Sequence, residues 1–342
     1  MRPLVLPPNG IPRFYRGGAA IAELRGIEPA GERVPEDWVG STTTVFGQKE
    51  LGLSRLPDGR LLRDAAAADP VAFVGPDHRA RHGADPALLV KLLDAGERLP
   101  VHVHPNGRFA REALGSPYGK TEAWLVIDTP GAGATVGVGF REDLTAETLT
   151  HWVHDQDRRA LLDALNHVTV RSGDAIFVPA GVPHAIPEGV LIVELQEPSD
   201  LSILLEWQGF ADGGGDGGEA TLGLGWEVAL GCVELSRRDP EQLRGGRGEG
   251  NGGVTSLLPA EADPFFRAER VEAPPAAKLE RGFAILVVTE GAGALHSEGG
   301  EPLGIGRGDT VLVPWGAGAC QLEGDLVALA CRPPAPDSGG VT

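Results

Sequence analysis

Short apolar runs set between Gly and Pro dominate the chain, and their length and alternation predict strands more often than helices. Residues 1–54 are mixed, with β-branched runs such as Ser41-Thr42-Thr43-Thr44-Val45-Phe46. Over 60–95, Leu61, Leu62, Ala65 and Ala66, then Leu88, Leu89, Leu92 and Leu93, recur at helical spacings. Pro70, Pro76 and Pro86 should cut that stretch into short pieces. From Leu99 to residue 127 the pattern turns strand-like, with alternation at Val101-His102-Val103-His104 and an apolar run over 123–127. Residues 145–166 predict one or two amphipathic helices starting at Thr145, with Glu147 nearby. Strands are expected again at 168–171, 175–179 and 190–195.

The stretch 211–255 carries Gly213-Gly214-Gly215, Gly217-Gly218, Gly245-Gly246 and Gly252-Gly253, and reads as linker around a helical segment at 222–235. Beyond Pro264, strands are expected at 284–289, 310–313 and 326–331, and the end of the chain, 336–342, is expected to be disordered. One pattern occurs twice. Gly173-Asp174, an apolar strand, Pro179-Ala180-Gly181 and His184 are matched by Gly308-Asp309, a second apolar strand, Pro314-Trp315-Gly316 and Ala319. This predicts two related β-barrels, one keeping a histidine that the other lacks. The expected division is a metal-bearing barrel over 1–210 with helical insertions at about 60–95 and 145–166, a connector over 211–263, and a degenerate barrel over 264–335.

The chain has 342 residues, enough for two domains, and its 42% hydrophobic content suffices for their cores. Its formal charge of −18 argues against a nucleic-acid or anionic-membrane surface, because both require basic patches. A small anionic substrate needs only two or three local cations. Cys232, Cys320 and Cys331 have no CxxC spacing and read as small buried apolar residues. With no apolar leader segment and no long apolar run, a soluble cytoplasmic protein is expected. Nothing in the pattern specifies an oligomeric state.

His102 and His104 are two apart in an alternating segment, so both imidazoles should lie on one face while Val101 and Val103 pack on the other. Glu122 follows where the next strand begins, and His184 follows the Pro-x-Gly turn of the first repeat. Three imidazoles and a carboxylate suit Zn, Fe or Mn with positions left for substrate oxygens. Together these residues resemble the two motifs of the cupin superfamily, with a longer His-to-Glu interval than is usual there. Lys91-Leu92-Leu93-Asp94, Val101-His102-Val103-His104-Pro105-Asn106, Gly119-Lys120-Thr121-Glu122-Ala123-Trp124, Val178-Pro179-Ala180-Gly181, His184-Ala185-Ile186, Val193-Glu194-Leu195-Gln196 and Ser199-Asp200 are similar to type I phosphomannose isomerases.

The resemblance runs to about residue 210, and it implies a mainly β bicupin whose second barrel has no metal ligands. It implies interconversion of mannose 6-phosphate and fructose 6-phosphate, zinc held by His102, His104, Glu122 and His184, and Lys120, Glu194 and Asp200 facing the substrate. Glu194 or Asp200 would move the proton between C1 and C2. The residues alone also allow a solvated Lys120, a Glu194 that only supports a ligand histidine, and an Asp200 that caps a turn. His78, His82, His151, His154 and His296 are expected at the surface, His296 without a partner in its barrel, and Trp124 and Trp207 in the core.

Two positions depart from the family pattern. His102 stands where the family has Gln, which also suits Fe or Mn. Leu204 stands where the family has an arginine four residues beyond Ser-Asp. Either another cation (Lys49, Arg108, Arg111 or Arg141) serves in its place, or the substrate is an unphosphorylated sugar. A sugar-binding or Fe-dependent cupin without isomerase activity is the remaining alternative.

Overall fold

The computed structural model describes residues 1–210, 218–246, 248, 252–273 and 275–336. Gly213-Gly214-Gly215, Gly217 and all of the 336–342 tail beyond Pro336 lie outside the described residues. The chain is mainly β, with three antiparallel sheets and short helices.

A six-stranded sheet runs in the order Gly10–Ile11, Glu36–Val39, Leu89–Asp94, Leu191–Gln196, Glu122–Asp128, Ala175–Val178. A five-stranded sheet runs Ile203–Leu204, His102–Val103, His184–Ala185, Ala134–Phe140, Leu165–Val170. The two share a core: Leu93, Trp124, Val126, Ile176 and Ile192 of the first pack with Val136, Val138, Val168 and Val170 of the second. Side chains alternate between sheet faces, so the opposite face of the six-stranded sheet is covered separately. There Val90, Leu92, Ala123, Leu125, Val193 and Leu195 pack with Ile285, Val287, Leu329 and Cys331 of the C-terminal sheet. Val101 and Val103 fall on the outer side of the five-stranded sheet, with Leu149, Val153 and Leu161 of the helices Ala146–Asp155 and Arg158–Asp163. The alternation expected at Val101-His102-Val103-His104 is therefore observed.

The third sheet has eight strands, and Leu4–Val5 at the N-terminus pairs with Thr310–Val313 within it. Val254–Ser256 also joins it, against Arg267–Glu272. Its long strands Ala284–Ser297 and Cys320–Arg332 run antiparallel over most of their length.

The repeated pattern folds the same way twice. Gly173 and Gly308 both take the left-handed region, at φ 87° and 92°, where glycine carries no Cβ penalty. Asp174 accepts from Arg171 N and Asp309 from Gly306 N, each at 2.8 Å. Strands Ala175–Val178 and Thr310–Val313 follow.

Four expectations change. Leu89–Asp94 is a strand, not part of a helix, because it is covered on both faces and alternation vanishes in such a run. The segment 222–235 holds only short turns of helix, at Trp226–Ala229 and Leu230–Cys232. His78 and His82 are half-buried, their rings 4.7 Å apart, rather than solvated. His296 has a partner, Glu323, at 3.3 Å. The helix at Thr145 starts as expected, with the threonine side chain accepting from Thr148 N. His151 and His154 are exposed, and the three cysteines are buried and unbridged.

Candidate active site

His102 and His184 stand opposite one another on adjacent antiparallel strands, and Leu204 stands opposite His102 on its other side. His104, just past the end of its strand, completes a buried group in which one ring nitrogen from each of His102, His104 and His184 lies within 4.8 Å of the others. The protein fixes the tautomer of all three. Their Nδ1 atoms donate to backbone carbonyls, His102 to Pro100 at 2.8 Å, His104 to Leu201 at 2.8 Å and His184 to Val182 at 2.9 Å. Nε2 is then the lone-pair atom of each ring.

Glu122 opens the strand Glu122–Asp128 and joins them. Its Oε2 is 3.0 Å from His104 Nε2 and its Oε1 is 3.3 Å from His184 Nε2. Trp124, in the core as expected, packs against the His184 ring and donates from Nε1 to Glu122 Oε1 at 2.8 Å. Converging lone pairs repel unless a cation lies among them. The Lys120 ammonium serves Glu122 Oε2 directly and His104 Nε2 at 2.7 Å, while His184 Nε2 is buried with no hydrogen-bond partner. This donor set, imidazole nitrogens plus a carboxylate, fits a zinc ion, and it also suits Fe or Mn.

Burial lowers the pKa of the three imidazoles, with neighbouring imidazoles adding to it at His102 and Lys120 adding to it at His104, which falls to about 3. All three are neutral, as ligands must be. For Glu122, burial pushes upward, but the neighbouring groups, the Lys120 ammonium foremost, outweigh it and hold the carboxylate well below its usual range.

A second shell of charge comes from the neighbouring strands. In the six-stranded sheet Trp38, Lys91, Glu194 and Trp124 stand side by side, one per strand. Lys91 Nζ lies 3.2 Å from Glu194 and 3.5 Å from Glu36, and Lys120 Nζ lies 3.6 Å from Glu194. Burial raises the Glu194 pKa above the ordinary carboxylate value, more than the two lysines lower it. Asp200 behaves oppositely: burial is outweighed by Arg13 and then Lys91, so its pKa is depressed.

These groups line one cavity, with Leu204, Leu99 and Pro100 as part of its apolar wall. It holds four carboxylates (Glu36, Glu122, Glu194 and Asp200) against three cations (Arg13, Lys91 and Lys120). A divalent ion would reverse that balance. The structure thus places Lys120, Glu194 and Asp200 in the same cavity as His102 and Glu122. None of Lys49, Arg108, Arg111 and Arg141 lines it. Arg13, Tyr15 and Glu36 were not singled out by the sequence pattern, since the N-terminal segment that carries them has no motif. Two charges in the otherwise apolar strand Glu36–Val39 were the available signal.

Fold and site together define a mainly β protein with a buried three-histidine, one-glutamate cluster beside a charged cavity. No protein-family model matches the chain. Mannose-6-phosphate isomerase ManA of Bacillus subtilis is 31% identical over 326 residues, 94% of this chain and 96% of that protein. The chain belongs to the mannose-6-phosphate isomerase family. Its fold superposes on a crystal structure of mannose 6-phosphate isomerase from Bacillus subtilis with a TM-score of 0.77, covering 97% of this chain and 100% of that one at 22% identity. A mannose 6-phosphate isomerase solved with bound zinc and yttrium gives 0.74, over 98% and 100%, at 19% identity. Among the described residues no helix is long and apolar enough to cross a membrane.

Proposed function

We infer that the protein is a zinc-dependent aldose–ketose isomerase that interconverts mannose 6-phosphate and fructose 6-phosphate. The observation that carries this reading is the convergence of His102, His104 and His184 on Glu122, beside Lys120 and Glu194, in a chain of this family. His102, His104, Glu122 and His184 would hold the ion, which when bound supplies Lewis acidity toward the sugar carbonyl and the developing enediolate.

Glu194 is the carboxylate that moves the proton. Its raised pKa suits a group that must accept a proton at C2 and return it at C1. Lys91 and Lys120 flank it and would hold the sugar oxygens, or the enediolate, as compact positive charges. Asp200 is held by Arg13 and serves to position the cavity wall rather than to exchange protons.

The same reading places the catalytic unit, a cupin-type barrel with helical insertions, at 1–210, a connector at 211–263, and a second cupin barrel without ligands at 264–335. The shared turn geometry at Gly173-Asp174 and Gly308-Asp309 supports two related barrels. Strand Leu4–Val5 is lent to the second sheet.

One observation favours a second reading, isomerisation of an unphosphorylated sugar. Leu204 lies in the cavity wall opposite His102, and every cation of the cavity already faces a carboxylate. Incubating zinc-loaded protein with mannose 6-phosphate or with free mannose, and assaying the ketose formed, separates the two. Conversion of the phosphate ester that stops on chelation supports the first. Conversion of free mannose alone would replace it with the second.

A further inference from the structure

The phosphate of the inferred substrate needs an excess of positive charge, and in the cavity every cation already faces a carboxylate. Arg13 spends its two terminal nitrogens on Asp200 and faces Glu36 with the third. Lys91 lies between Glu36 and Glu194, and Lys120 between Glu122 and Glu194.

One step toward solvent, the balance reverses. Pro100 and His102 line the cavity, and continuing the two-residue alternation outward reaches Arg98; on the paired strand the same step from Leu204 reaches Glu206. Glu206 is buried and accepts from Arg98 Nη1 at 2.7 Å, from Arg98 Nη2 at 2.5 Å and from Val101 N at 3.1 Å. That bidentate pair already neutralises the carboxylate. Arg158 nevertheless approaches the same Oε1, with its Nε at 2.6 Å. Two guanidiniums thus share one carboxylate, leaving one excess positive charge on a chain whose formal charge is −18.

The pair is built into the rim. The Arg98 guanidinium sits 5.4 Å over the Phe210 ring, and Phe210 meets edge-on the Phe14 ring that lines the cavity. The Arg158 side chain is 58% exposed, with its Nε turned to the Glu206 carboxylate. An exposed guanidinium beside a second guanidinium matches the oxygens of a phosphate monoester.

We propose that Arg98 and Arg158, gathered on Glu206 at the cavity rim, bind the phosphate group of the substrate. This rests on the isomerase reading for the identity of the substrate, and the test is chosen so that the two can fail separately. Inorganic phosphate is titrated into the zinc-loaded protein and followed by phosphorus NMR, for the wild type, Arg158→Ala and Arg158→Glu. Arg158 is exposed and outside the catalytic cavity, so the variants keep their fold, which circular dichroism checks. Because a hydrogen bond to a charged group is worth about a factor of ten or more in affinity, Arg158→Ala should weaken phosphate binding at least about tenfold and Arg158→Glu should abolish it. In turnover, KM for mannose 6-phosphate should rise by a similar factor with kcat within about twofold. Phosphate affinity that is equal in all three proteins would overturn the rim site even if mannose 6-phosphate is converted. Phosphate binding that depends on Arg158 in a protein that converts no sugar would uphold the site and remove the isomerase reading.

Discussion

Arg13 and Asp200, 187 residues apart in the chain, meet in the wall of the cavity through two parallel hydrogen bonds, each 3.0 Å. The same guanidinium lies 3.0 Å from Glu36, which also receives Tyr15 and Trp38 and stands 3.5 Å from Lys91. An N-terminal segment with no motif thereby holds one side of the site in place. Removing one partner of such a buried pair leaves a charge without compensation, which costs about 3–5 kcal/mol. Arg13→Met should lose that much stability in urea at pH 7, and about 100-fold in kcat/KM as the wall shifts.

The acid dependence of that variant follows from the depressed Asp200 pKa. A carboxylate whose pKa is lower folded than unfolded stabilises the protein above its unfolded value, about 3.9, and that contribution is lost as pH falls further. The stability gap between wild type and Arg13→Met should therefore narrow as the pH of the denaturation series is lowered from 7 toward 3. A gap independent of pH would remove the ion pair as its cause.

Lys120 is expected to act on the substrate rather than to hold the metal. Lys120→Met leaves His102, His104, Glu122 and His184 in place, so bound zinc, measured by elemental analysis, should stay near one ion per chain. Turnover should fall about 10²–10³-fold, the usual effect of removing one stabilising donor from a reacting oxyanion. Loss of zinc together with activity would instead make Lys120 a support for the ligands.

The three neutral imidazoles give the metal-free protein a pH signature. Each has a folded pKa below the unfolded value of about 6.5, so the unfolded chain binds protons first and stability drops as pH falls below that value. For His104 the loss continues down to about 3. Thermal melts of chelator-treated protein should show Tm decreasing from pH 7.5 to pH 5, with a smaller decrease in His104→Gln. Equal slopes in the two proteins would contradict the burial of a neutral His104.

Gly75 joins two short helices, Pro70–Val74 and Pro76–His82, at φ 89°. A Cβ there would lie 2.5 Å from the Trp315 ring of the C-terminal part of the chain. Gly75→Ala combines an unfavourable φ with a clash and should cost about 2–4 kcal/mol of stability by urea titration, leaving kcat of the folded protein unchanged.

The ligand set was legible because each member sits in a local pattern. His102 and His104 share an alternating run, Glu122 begins a strand, and His184 ends a Gly-Asp to Pro-x-Gly turn that recurs at Gly308. Thr145 announced its helix through its cap. The strand Leu89–Asp94 was not legible, since burial on both faces erases the alternation that distinguishes a strand from a helix. Arg13, Glu36 and the Arg98–Glu206–Arg158 cluster were not legible either. Their roles come from register between distant segments, and charge pairing across a sheet leaves no periodic trace in one strand. The half-buried His78 and His82 were missed because the contact between their rings and the approach of His78 Nε2 to the Asp85 carbonyl leave no apolar pattern in the sequence.

The most direct measurement is proton NMR in D2O of the zinc-loaded protein with mannose 6-phosphate, repeated with Glu194→Gln. Fructose 6-phosphate should accumulate with the wild type, with deuterium entering at C1 or C2 as the proton passes through Glu194, and both should fall at least about 100-fold in the variant. A zinc-loaded wild-type protein that forms no ketose and takes up no deuterium would contradict isomerisation at this site.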